Sequence, residues 1–91
     1  MKDITNNEML FVLVIFKSPE IEYNANSIAK RLKISSMGAL KIARRLEKEN
    51  ILISRELGKA RFYNLNMNDY TKQYIKFLLK REAEQSVAYI K

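Results

Sequence analysis

The sequence predicts a mainly α chain with one small β-hairpin, an α+β arrangement of four helices in 91 residues. Three observations carry that expectation. Two amphipathic segments between Ala25 and Glu49 are joined by a turn too short for anything but a helix pair. A hairpin signal follows at once, with Leu57-Gly58-Lys59-Ala60 set between two apolar runs. After Asn68 neither glycine nor proline interrupts the chain, so one long helix can close it.

The first helix is expected over about residues 6–18. Thr5-x-x-Glu8 has the spacing of a capping box, and Pro19 marks the end. Met9 to Phe16 is unbroken apolar sequence. A helix with one buried face alternates at period 3.6; this one is apolar all round and needs cover on more than one side. The run is far below the ~20 residues a bilayer requires and lacks the basic start and small-residue cleavage site of a signal peptide. No membrane partner is expected, and the cytoplasm is the default location.

Ile21-Glu22-Tyr23 can form a short strand beside the hairpin. Asn24 is a cap for a second helix over about residues 25–33, with Tyr23 packing on Ile28 as a hydrophobic staple. Ile28, Ala29 and Leu32 face inward, and Ile34 plugs the turn. Ser35 and Ser36 then open a third helix, expected over about residues 36–49. Ala39, Ile42, Ala43 and Leu46 share its inner face. At ~100° per residue Met37, Lys41, Arg44 and Lys48 form one opposite stripe, with Arg45 beside it. A basic stripe after a tight turn is what a major-groove reader needs, and a solvated face is the plainer alternative. Gly38 in the first turn costs up to ~1 kcal/mol of helix propensity. Close approach to DNA or close packing on the second helix would each explain it. Asn50 stands where the chain must turn left-handed, and asparagine is the best residue there after glycine.

The hairpin spans residues 51–65. Gly58 is the first of its two central residues, as a type II′ turn requires. Tyr63 and Leu65 can face the helices together. Arg55, Lys59 and Arg61 gather near the tip, suited to phosphates or the minor groove beside the third helix. A helix-turn-helix followed by such a hairpin is a winged helix.

From Ser27 to Leu65 the chain resembles the MarR/ArsR-like winged-helix regulators of archaea and bacteria, and most of all small archaeal winged-helix proteins. The matching segments are Ile28-Ala29-Lys30-Arg31-Leu32, Ile34-Ser35-Ser36, Arg44-Arg45-Leu46-Glu47-Lys48-Glu49-Asn50-Ile51-Leu52 and Gly58-Lys59-Ala60-Arg61-Phe62-Tyr63-Asn64-Leu65. The resemblance implies double-stranded DNA as partner. The candidate contacts are Ser35, Ser36, Met37, Gly38, Lys41, Arg44, Arg45, Lys48, Arg55, Lys59 and Arg61. Two departures stand out: Asn50 replaces the usual glycine, and Gly38 replaces the more usual Ser or Thr.

Charge agrees with that placement. The net charge is +7. Residues 30–49 carry Lys30, Arg31, Lys33, Lys41, Arg44, Arg45 and Lys48 against only Glu47 and Glu49, while the first 29 residues lean acidic. Basicity concentrated on one segment favours a polyanion. Cysteine and histidine are both absent, which excludes disulfides, thiolate metal sites and the commonest general base. No nucleophile–base pattern or phosphate loop occurs. The chain is expected not to be an enzyme and to need no cofactor or metal.

Asn68 caps the last helix, from Asp69 almost to the end. Tyr70, Tyr74, Phe77 and Leu78 supply an apolar face, Ile75 and Leu79 extend it, and Val87, Ala88 and Ile90 follow. The chain thus divides into a winged-helix unit, residues 1–66, and a terminal helix, residues 67–91. Pairing of first and last helices in a homodimer through Phe11, Val14, Ile15, Tyr74, Phe77 and Leu78 is expected. The alternative is a last helix that packs only on its own domain. Two functions follow: a dimeric DNA-binding regulator, or a winged helix that docks on proteins. RNA binding through Tyr63 and Phe62 is a third, without a supporting signature. Operator, effector and sign of regulation are not legible.

Overall fold

The computed structural model describes residues 5–90, with side chains through residue 85. The order is α1 (Asn6–Lys17), α2 (Ala25–Leu32), α3 (Ser36–Lys48), β1 (Leu52–Leu57), β2 (Ala60–Leu65) and α4 (Asp69–Ile90). This is a winged helix-turn-helix with a long last helix.

Local chemistry sets the helix ends. Thr5 Oγ1 accepts the Glu8 N–H at 3.1 Å and opens α1. At α2, Asn24 Oδ1 accepts from the Ser27 N–H at 2.8 Å while Ser27 Oγ accepts from the Asn24 N–H at 3.0 Å, a reciprocal capping box. Ser35 Oγ accepts the Gly38 N–H at 3.0 Å and caps α3. Asn50, at φ 63°, ends α3 in the left-handed conformation, and its N–H reaches the Glu47 carbonyl while that of Ile51 reaches Leu46. Lys33, at φ 58°, ends α2 in the same way without glycine or asparagine. Asn68 Oδ1 caps α4 through the Thr71 N–H at 2.8 Å, and its amide donates to the Asn50 carbonyl at 3.0 Å. One asparagine thus ties the start of α4 to the end of α3.

The hairpin pairs Leu52 with Leu65 through Leu57 with Ala60 in antiparallel register. Gly58 takes φ +62° as the first of the two turn residues, where an L side chain would be strained. The expected strand at Ile21–Tyr23 reduces to a single bridge, Tyr63 N–H to Tyr23 carbonyl at 2.8 Å.

The core corrects one expectation about α1. Its apolar faces are covered within the chain, because α2, α3, β2 and α4 all pack on it. Met9, Phe11, Val12, Leu13 and Ile15 are buried, Leu10 and Val14 are half-buried, and only Phe16 reaches the surface. Phe11 meets Tyr63 edge-on, ring centroids 6.4 Å apart. Tyr23 and Ile28 are both buried in this core, and the Tyr23 hydroxyl donates to the Val14 carbonyl at 3.4 Å. From α4, Thr71, Ile75 and Leu78 join the core. Phe11, Ile15 and Leu78 therefore have no surface left for a second copy. Of the expected pairing residues, Val14, Tyr74 and Phe77 keep partial exposure. The side chains of Val87, Ala88 and Ile90 lie outside the described residues.

Candidate nucleic-acid interface

On α3 the inner face buries Ala39, Ala43 and Leu46, which fixes what the opposite face presents. Met37, Lys41, Arg44 and Lys48 are all exposed along that face. Among the described residues none of these three cations has an acidic partner within salt-bridge distance. Three unneutralised charges on three successive turns make a strip about 10 Å long at the helical rise of 1.5 Å per residue, suited to a row of phosphates.

Arg45 stands apart. Its guanidinium lies 2.8 Å from the carboxylate of Glu8, whose side chain is only 5% exposed. It points from α3 toward α1, away from the strip. Tyr74 of α4 completes this corner: burial, then the Glu8 and Glu49 carboxylates, push its hydroxyl up to about 12, with Arg45 opposing. Three helices meet at that ion pair. Glu8, with the spacing of a capping box behind Thr5, serves long-range packing.

At the front of α3 the polar side chains are engaged. Ser35 Oγ holds the Gly38 N–H, and Ser36 Oγ donates to Asn26 Oδ1 at 2.6 Å, joining the first turns of α2 and α3. A Cβ on Gly38 would meet only Ser35 Oγ, at 3.2 Å. Close packing on α2 therefore does not explain this glycine.

On the wing the basic residues differ in their freedom. Arg55 reaches Glu22 at 3.3 Å, and Arg61 lies 3.9 Å from Glu56, its partner across the strands. Lys59 sits in the two-residue turn, exposed and without a partner among the described residues. Below it, burial raises the Tyr63 hydroxyl above its ordinary value; Glu47 adds to the shift, and Arg61 and Arg44 oppose it. Lys30, Arg31 and Lys33 of α2 and its turn are exposed as well. The left-handed turn at Lys33 had no sequence signal, since the residue is neither glycine nor asparagine.

No helix among the described residues is long and apolar enough to cross a membrane. No known protein-family profile matches the chain, and no curated protein matches it in sequence. Solved structures do match in fold. MepR, a transcription regulator of the Staphylococcus aureus multidrug efflux pump MepA, superposes with TM-score 0.76 at 17% identity over 98% of this chain and 67% of its own. The S. aureus MepR–DNA complex gives TM-score 0.81 at 16% identity, covering 97% and 63%. The adhesin competence repressor AdcR of Streptococcus pyogenes gives 0.75 at 17% identity, covering 96% and 63%. The chain spans about two thirds of the length of these regulators. What it shares with them at this identity is the winged-helix fold.

Proposed function

We propose that this chain binds double-stranded DNA as a dimeric winged-helix transcriptional regulator, laying α3 in the major groove. The observation that carries the reading is the exposed strip of Lys41, Arg44 and Lys48, unneutralised while neighbouring Arg45 is tied down. Phosphates, by position and charge, are the natural counterpart of such a strip. Lys59 at the wing tip supplies a further cation, beyond the strip. That one fold match is a regulator in complex with DNA supports the same reading.

The dimer rests on α4. Its first half is anchored in the protomer by Thr71, Ile75 and Leu78, and Tyr70, 55% exposed, shares a flank with half-buried Tyr74 and Phe77. Pairing there and through Val14 would set two recognition helices for half-sites ~34 Å apart.

Docking on a protein is the second reading. Its apolar surface is the outer face of the wing, where Ile53 and Leu57 are 52% and 50% exposed; α1 no longer offers one. Titrating a mixed-sequence duplex at rising salt separates the two. DNA binding predicts a linear fall of log affinity with log salt, and a docking module shows no duplex binding above that of a neutral polymer.

A further inference from the structure

We infer that the recognition helix reads thymine C5-methyl groups through Met37, with Lys41 and Arg44 holding the flanking phosphates. The inference rests on the DNA-binding reading and specifies the chemistry of the site that α3 selects.

The first turns of a recognition helix are the part that meets base edges. Here the two serine hydroxyls each already hold one hydrogen bond within the protein. Ser35 Oγ accepts the Gly38 N–H, and Ser36 Oγ donates to Asn26 Oδ1 at 2.6 Å. What projects from that turn is Met37, 64% exposed, the most exposed large apolar side chain among the described residues. Leu40, the other apolar residue near this face, is half-buried and belongs to the edge of the core. One turn on come Lys41 and Arg44, exposed and unpaired among the described residues.

Base-pair chemistry then selects. In the major groove adenine asks for a paired donor and acceptor, which Asn or Gln supplies, and cytosine asks for an acceptor. The exposed face of α3 has no Asn, Gln or Asp, and Glu47 is half-buried with its carboxylate accepting from Ser54 Oγ at 3.1 Å. Thymine presents a methyl group, the one apolar feature of the groove. Met37 is the residue for that methyl: unbranched and polarizable, it can follow the groove floor without a fixed rotamer.

The test uses the full chain. Duplexes are selected from a random pool, and each thymine of the selected site is then replaced by deoxyuridine, which removes only the methyl group. In the wild type, one or two positions per half-site should lose about four-fold in affinity, the value of one buried methyl-sized group. Met37→Ala should bind the thymine duplex more weakly and lose the penalty at those positions, while its salt dependence, set by charged contacts, stays as in the wild type. Met37 is largely solvent-exposed, so the variant should fold, which its circular dichroism checks. A wild type indifferent to deoxyuridine at every position overturns the inference while leaving DNA binding intact. So does a penalty that persists in Met37→Ala, or selection that returns no preferred sequence. Absence of duplex binding altogether overturns the inference together with the reading beneath it.

Discussion

Arg45 of α3 and Glu8 of α1 form a 2.8 Å ion pair in which the carboxylate is almost wholly buried. The pair gives two adjacent arginines on one helix different work: Arg44 is exposed, and Arg45 braces α3 on α1. Because Tyr74 feels both charges, the brace also reaches α4. The orientation of α3 is thereby tied to the two helices proposed to form the dimer.

Replacing Arg45 by alanine should lower stability without changing the salt dependence of DNA binding. Removing one cation from a buried carboxylate costs up to ~3–5 kcal/mol in a fully buried pair. The Arg45 side chain is 37% exposed, so a smaller loss, about 1–3 kcal/mol, is expected. Urea denaturation measures it; unchanged stability with a flatter salt slope would make Arg45 a phosphate contact instead.

Much of the fold was legible because it is local. Thr5, Asn24, Ser35 and Asn68 cap helices at fixed short spacings, Gly58 marks its turn, and Asn50 takes the left-handed position that its neighbours demand. What sequence could not show was long-range company. The apolar run of α1 announced how many faces need cover but not that four elements of the same chain supply it. Glu8 carried a local signature and found its cation in a distant helix. The strip of Met37, Lys41, Arg44 and Lys48 could be drawn from periodicity; which of the nearby cations are neutralised could not.

Lys59→Ala should weaken binding to every duplex by a similar factor, and Arg61→Ala by less. Lys59 stands free at the turn, whereas Arg61 already faces Glu56. Competition against selected and random duplexes reads this out. Loss of sequence preference at little cost in affinity would mean that the wing reads bases.

Thr71 is fully buried, and its hydroxyl has no hydrogen-bond partner among the described residues. Thr71→Val keeps the branched shape and removes that oxygen. An unsatisfied buried polar group costs about 1–3 kcal/mol, so the variant should be neutral or more stable by thermal denaturation. A loss above about 1 kcal/mol would show the hydroxyl to be bonded in solution.

Tyr74 should make the protein alkali-sensitive. Its folded value, about 12, lies above the ordinary 10, so the neutral phenol is the form the fold favours. The contribution is complete below pH 10 and is lost as the pH rises through 12. Tyr74→Phe, which has no phenol to ionise, should lose less stability between pH 10 and 12 than the wild type, followed by circular dichroism. Parallel loss in both proteins would contradict the burial of this hydroxyl.

Sedimentation equilibrium at high micromolar concentration should give twice the chain mass. Truncation before Tyr70 would remove Thr71, Ile75 and Leu78 from the core and is expected to unfold the domain. A monomer mass for the whole chain would dismiss the dimer and the paired half-sites with it.

The exposed strip on α3 is tested most directly by the salt dependence of duplex binding in wild type and in Lys41→Ala/Arg44→Ala, measured by fluorescence anisotropy. Each phosphate contact contributes about 0.9 to the slope of log affinity against log salt. The double variant should bind more weakly, with its slope flattened by about two units. Equal affinity and equal slope in the two proteins would remove α3 from the DNA interface.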